Sequence, residues 1–262
     1  MDCRSPPACI FLIIVFLTAF AGCTTPVSAP PGTAEKAIPA EMETVSHTTA
    51  IPVTSITDQL AAVRSDSAIW KEAYRMFLTM KSTEYVHPPY MIDEAAGIYR
   101  FDCLGFVDHV LMNANPVGYT AIGKGVNPSI ESYAGYFNKL DTVKPDVAGW
   151  TRVTHPIDLR PGDICLWLTP GTLDAGHMWI IAGDPMINPK RSSEVLVRIF
   201  DSSIAHSDDS RTGSAYKTGL GSGILGMMVD GEGNPIGLYW EGGVSTAAGE
   251  KATTIVCGRL DH

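Results

Sequence analysis

Near Asp158 the chain changes its hydrophobic rhythm, and that change limits the folds open to it. Upstream, apolar residues recur at helical spacing. Leu60, Val63, Ile69, Ala73, Met76, Phe77 and Met80 mark the buried face of a helix expected over Thr57–Lys81, with Thr57 or Asp58 as its cap. Phe106, Val107, Val110 and Leu111 mark a second helix, ended by Asn115-Pro116, and a shorter one is expected around Ser129–Leu140. Between the first two lies a loop in which Pro88-Pro89 forbids helix. Downstream of Asp158 the apolar runs shorten and are bounded by turns. Ile164–Leu168, His177–Gly183 and Val195–Asp201 read as strands, Gly226–Asp230 and Ile236–Trp240 as the arms of a hairpin, and Thr253–Arg259 as the last strand. Helices first and antiparallel strands after specify an α+β domain, expected over residues 57–262.

The residues ahead of that domain have another character. Arg4 precedes an apolar run from Ala8 to Gly22, about as long as the core of a signal peptide and short for a spanning helix, which needs ~20 residues. The run ends Phe20-Ala21-Gly22-Cys23, which resembles a lipobox with Phe20 in place of the more usual Leu. Residues 1–22 are therefore expected to be a signal peptide, with Cys23 as the lipidation site. An uncleaved anchor and an ordinary secretory signal are the other readings. All three put the bulk of the chain outside the cytoplasm, either tethered to the membrane or secreted. From residue 23 to 56 the sequence is rich in Thr, Pro and Ala and keeps no hydrophobic period, as a disordered tether would. The net charge of −9 argues against nucleic acid, which needs a basic surface, and against electrostatic capture by an anionic membrane.

The chemistry concentrates in Tyr99-Arg100-Phe101-Asp102-Cys103-Leu104-Gly105-Phe106-Val107-Asp108. Asp102 is a good N-cap, so Cys103 is expected in the first turn of its helix. A helix N-terminus carries partial positive charge and unpaired N–H groups, both of which favour a thiolate. Cysteines in such places have pKa values lowered from ~8.5 to roughly 3.5–7.5. A sulfur nucleophile needs a base, and the base needs an orienter. His177, opening a strand, supplies the base; Asp201, ending the next strand, supplies the orienter, with His206 as its competitor. The backbone N–H of Cys103 can serve as an oxyanion donor.

Three blocks of this sequence resemble those of the NlpC-type cell-wall cysteine peptidases, a papain-like superfamily. DCLGFV is similar to their D-C-S-G-F-V, LRPGDICLWL to their L-x-P-G-D-L-V-F-F, and GHMWIIAG to their H-V-G-I-Y-x-G, in the same order over roughly Ser82 to Ser203. Leu104 stands where the family carries Ser, and the segment between Asn113 and Asp158 is longer than in a minimal member. The resemblance implies a papain-like fold with the nucleophile's helix packed on an antiparallel sheet. It implies Cys103 as nucleophile, His177 as base and a polar residue on the following strand, here Asp201, as orienter. It also implies an upstream tyrosine at the oxyanion site, for which Tyr85 is the best candidate. His87 and Asp102 complete the candidate oxyanion and substrate-binding residues. The implied activity is hydrolysis of amide bonds in cell-wall peptides, with a peptide-like substrate and the membrane as partners. A related thiol acyltransferase or amidase, and a non-catalytic ligand-binding lipoprotein using the same cleft, are the alternatives.

The remaining residues have plainer readings. No HExxH, no Cys-x-x-Cys and no dense His cluster occurs in the sequence, so neither metal nor cofactor is expected. Cys165 and Cys257 are read either as a disulfide of an oxidising compartment or as two small buried hydrophobes in neighbouring strands, the second being favoured. Asp208, Asp209 and Arg211 are expected to form a charge cluster on the surface or at the rim of the cleft. Gly219–Gly223 has the composition of a phosphate loop, but strands follow it, so it is read as a flexible turn.

Overall fold

The computed structural model describes residues 55–124, 127–168, 176–244, 250–251 and 254–261. The leader, the lipidation candidate Cys23 and the tether lie outside the described residues. Among the described residues no helix is long and apolar enough to cross a membrane.

The domain is mixed α+β. Helices α1 (Ile56–Ala62) and α2 (Ala68–Thr79) come first, followed by three short strands: β1 (Ser82–Glu84), β2 (Met91–Asp93) and β3 (Ile98–Arg100). Then come α3 (Cys103–Ala114), α4 (Pro116–Gly123) and α5 (Ile130–Phe137). Strands β4 (Trp150–Val153), β5 (Ile164–Leu168), β6 (Gly176–Ile181), β7 (Met186–Asn188) and β8 (Arg191–Ile204) follow. The last are β9 (Thr218–Val229), β10 (Pro235–Tyr239), β11 (Glu250–Lys251) and β12 (Thr254–Leu260). Strands β1–β3 form a small sheet. The other nine form a large one in the order β11-β10-β9-β8-β6-β5-β12-β4, with β7 paired to β8, and its pairings are antiparallel.

Period-2 alternation gives that sheet two apolar faces. Ile164, Leu166, Met178, Ile180 and Phe200 face the helices and pack with Trp70, Met76, Phe106, Val107 and Val110. Cys165, Trp179, Ile181, Val197, Ile199, Leu225 and Met227 form a second core on the other face. Leu238 of β10 and Ile255 of β12 belong to this second core, so the sheet curls around it and brings those two strands near one another.

Several expectations need correcting. The single helix over Thr57–Lys81 is two helices. Ser55 caps α1 in a reciprocal box with Asp58, and Ser67 caps α2, so Ser67 opens a new helix instead of continuing the old one. Ser67 also sits under Gly162, where an added Cβ would lie 2.1 Å from its Oγ. Cys165 and Cys257 stand directly opposite each other on β5 and β12 and form a disulfide, contrary to the favoured unpaired reading. Gly219–Gly223 is no turn: it lies in β9, paired along its length with β8. The segment between Asn113 and Asp158 carries α4, α5 and β4.

The feature that matters for the site is a fork. Strands β6 and β8 pair only at Ile180↔Phe200 and Ile181↔Ile199. Towards His177 they part: β6 continues beside β5, while Asp201–Ile204 continues beside β9. The start of α3 is tied to this fork by Ser202, whose Oγ donates to the Phe101 carbonyl at 2.7 Å.

Candidate active site

Cys103 is the first residue of α3 and is buried, 7% exposed. Its placement is local. The Asp102 backbone is extended, with φ −85° and ψ −174°, and its carboxylate accepts from the Gly105 N–H at 2.8 Å. Tyr90 Oη donates to the same oxygen, Asp102 Oδ1, at 2.7 Å, and His87 Nδ1 lies 3.2 Å from Asp102 Oδ2. The Tyr90 ring lies where a side chain at 105 would project, with ring carbons 2.6 Å from an added Cβ. Gly105 is thus required by the packing of Tyr90, a residue that sequence reasoning missed.

Across the fork, His177 Nε2 lies 2.8 Å from Asp201 Oδ2, and both side chains are buried. That leaves Nδ1 as the ring nitrogen available to sulfur, and His177 lies near enough to Cys103 to feel its charge. Burial alone would lower the His177 pKa. The charge on Cys103 and the hydrogen bond to Asp201 outweigh it and push the pKa up to about 9. The arrangement favours an imidazolium beside the sulfur. The Tyr85 pKa is raised by burial and by the negative charge of Cys103 and Asp102 near it, so Tyr85 remains a phenol donor. Its backbone N–H donates to Thr218 Oγ1 at 3.2 Å, which fixes it against β9.

Asp201 gathers four hydrogen bonds. Its Oδ2 also receives Ser203 Oγ at 2.6 Å and His206 Nε2 at 2.9 Å, while Oδ1 takes Arg211 Nη2 at 2.9 Å. Burial opposes its ionisation, but Arg211, His206 and His177 hold its pKa well below the usual carboxylate range. His206 is therefore a companion of Asp201, where the sequence offered it as a competitor. Its Nδ1 lies 2.9 Å from the Trp240 carbonyl, so both ring nitrogens are engaged by oxygen atoms.

Arg211 corrects a further expectation. It and Asp209 are buried, not on the surface; of the expected cluster, Asp208 alone is well exposed. Arg211 binds Asp209 through Nε at 2.8 Å and Nη2 at 2.6 Å, and its Nη1 donates to the Gly219 carbonyl at 2.9 Å. The sequence did carry a signal for this. Glycines at 219, 221 and 223 clear one face of β9. An added Cβ at 221 would lie 2.5 Å from Arg211 Nε, and at 223 it would lie 2.2 Å from Asp209 Oδ2.

The structure thus brings Tyr85, Cys103, His177 and Asp201 together, with Asp102 and His87 behind the nucleophile's helix start. A cleft of about 510 Å³ opens over Tyr85 and His177 and is walled by Trp167 and Trp240; of the predicted site residues, Cys103, Asp201, His87 and Asp102 do not line it. Two groups of side chains have metal-ligand character among the described residues: His177, Asp201 and His206, and the more exposed Glu72, Glu94 and His109. Each already contacts a protein cation, Arg211 in the first and Arg75 in the second. A thiol at a helix N-terminus, an imidazole beside it and a fixed carboxylate behind that are parts that acyl chemistry at sulfur uses. Comparisons of the chain with protein-family models, with curated proteins and with solved structures returned no match.

Proposed function

We propose that this protein is a thiol hydrolase that cleaves amide bonds, with cell-wall peptides as its substrates and a divergent papain-like, NlpC-type arrangement as its framework. The observation that carries the reading is the chain of contacts from Cys103 through His177 to Asp201, built across the fork between β6 and β8.

In this reading the Cys103 sulfur attacks the amide carbonyl. The Cys103 N–H and the Tyr85 hydroxyl receive the oxyanion, which they stabilise more as its charge develops. His177 gives its proton to the leaving amine, leaving an acyl-thioester; it then takes a proton from water, which attacks the thioester and restores the thiolate. Asp201 keeps the Nε2 proton of His177 in place, so Nδ1 is the atom that trades protons with the reaction. Cys23 as a lipidated N-terminus would hold the domain at the outer membrane face, within reach of the wall.

The test is Cys103→Ala. Release of new amino termini from peptidoglycan stem peptides, followed by mass spectrometry, is expected to vanish while the circular dichroism spectrum is unchanged. Undiminished cleavage by the variant would refute the assignment.

A further inference from the structure

The reaction proposed above leaves open what flanks the scissile bond, and the cleft carries information on that point. Trp167 stands directly opposite His177 in the β5–β6 register, so it walls the base on one side. Trp240 walls it on the other, with its ring 5.2 Å from that of His177 and 4.3 Å from that of His206. Ile204 adds a third apolar surface, and Tyr85, Ser203 and Thr218 bring hydroxyls. Apart from His177 itself, the described residues that line the cleft include no carboxylate, ammonium or guanidinium.

The charges beneath it are already paired. Asp201 is held by His177, His206 and Arg211, and Arg211 by Asp201 and Asp209. A charged substituent entering between the indoles would lose water and find no free counter-charge, which is costly. Aromatic walls can also hold an ammonium. Here Trp240 already packs against the rings of both His177 and His206, which leaves less of the indole free for a cation. A net charge of −9 further disfavours an acidic ligand.

We propose that the group held beside the scissile amide is uncharged and apolar, an aliphatic or aromatic side chain received between Trp167 and Trp240. This deepens the thiol-hydrolase reading and rests on it. It selects, among peptide-like substrates, those whose residue next to the cleaved bond carries neither a free carboxylate nor a free amine.

The test uses the full chain in phospholipid nanodiscs and three chloroacetamides of similar size: N-benzyl, N-carboxyalkyl and N-aminoalkyl. Alkylation of Cys103 is followed by peptide mass mapping, and each rate is divided by that of N-acetylcysteine with the same reagent. One methylene in an apolar pocket is worth roughly tenfold or more, so a preference of at least about tenfold for the benzyl probe over both charged ones is expected. The preference ratio should fall towards one in Trp167→Ala and Trp240→Ala and persist in Trp240→Phe. Should an alanine variant fail to fold, the wild-type ratio decides alone. Fast alkylation by all three probes without preference, or faster alkylation by a charged one, overturns the inference while leaving the activated thiol intact. A Cys103 that reacts no faster than N-acetylcysteine with any probe overturns both this inference and the hydrolase reading.

Discussion

The two halves of the site are held by different physics. On the helix side, Asp102, Cys103 and Gly105 lie in one turn, and the cap is completed by Tyr90 and His87 through short-range hydrogen bonds on a single carboxylate. On the sheet side, His177, Asp201, His206, Asp209 and Arg211 are drawn from three stretches of chain, and all are buried. A helix start needs little help to present a sulfur, because the backbone supplies the field. Fixing a base inside a sheet requires a buried carboxylate, and that carboxylate must be matched by cations or its burial would exceed what the pairing returns. The lesson is that the Cys103 thiol is placed mainly by its own helix start and His177 by a buried network, so damage to each should look different.

The sharpest way to break this contrast is Arg211→Met. Removing one partner of a buried ion pair costs about 3–5 kcal/mol, and here Asp201 and Asp209 would both lose their guanidinium. The urea midpoint should fall accordingly; a variant as stable as the wild type would mean that the sheet side is not held by charge. Next is the cross-strand disulfide. Cys165 and Cys257 close a loop with a sequence separation of 92, for which about 2–5 kcal/mol is expected. Reduction, or the double Cys→Ala variant, should lower the denaturation midpoint and leave the cap of α3 in place.

On the helix side, the largest effect is expected to be a gain. Asp108 lies on α3 beneath Tyr133, and burial, reinforced by the charge on Asp102, pushes its pKa up to about 7 despite the hydrogen bond from Tyr133. The unfolded chain ionises it near pH ~4. The folded state therefore holds an extra proton between about pH 4 and 7, and stability is lost as pH rises through that window. Asp108→Asn keeps the acceptor for Tyr133 and should be about 1–3 kcal/mol more stable than wild type at pH 8, with no difference at pH 4. Equal pH profiles would remove Asp108 from the account. The smallest effect is Asp102→Ala: loss of the cap should cost about 0.5–2 kcal/mol, measurable by denaturant melting. A loss as large as that of Arg211→Met would erase the distinction between the two halves.

The same contrast explains what could be read from the sequence. Helical spacing and Asp102 marked α3 and its cap because the bond from Gly105 that makes the cap spans three residues, whereas Tyr90, twelve residues away, escaped. Alternation marked the strands around His177 and Asp201, and chain order put nucleophile, base and orienter in sequence. What escaped was non-local. Asp209, two residues from Arg211, announced a charge cluster but not its burial, which depends on Asp201 and on the Gly219 carbonyl of β9. The period-2 glycines of β9 did encode that packing, but glycine is also the residue of turns, and composition alone favoured the turn. The break between α1 and α2 was missed because the apolar stripe runs across it; Ser67 and its fit beneath Gly162 decided the matter. The pairing of Cys165 with Cys257 required knowing that β12 lies beside β5, which no local pattern announces.

The most direct measurement is the pH dependence of Cys103 alkylation by iodoacetamide in the full chain, beside His177→Ala, with mass mapping of the modified residue. The account expects fast alkylation already below pH 7, a second step near pH 9 as His177 gives up its proton, and loss of the low-pH reactivity in His177→Ala. A rate that rises only as an ordinary thiol's does, near pH ~8.5, and is the same in both proteins would contradict it.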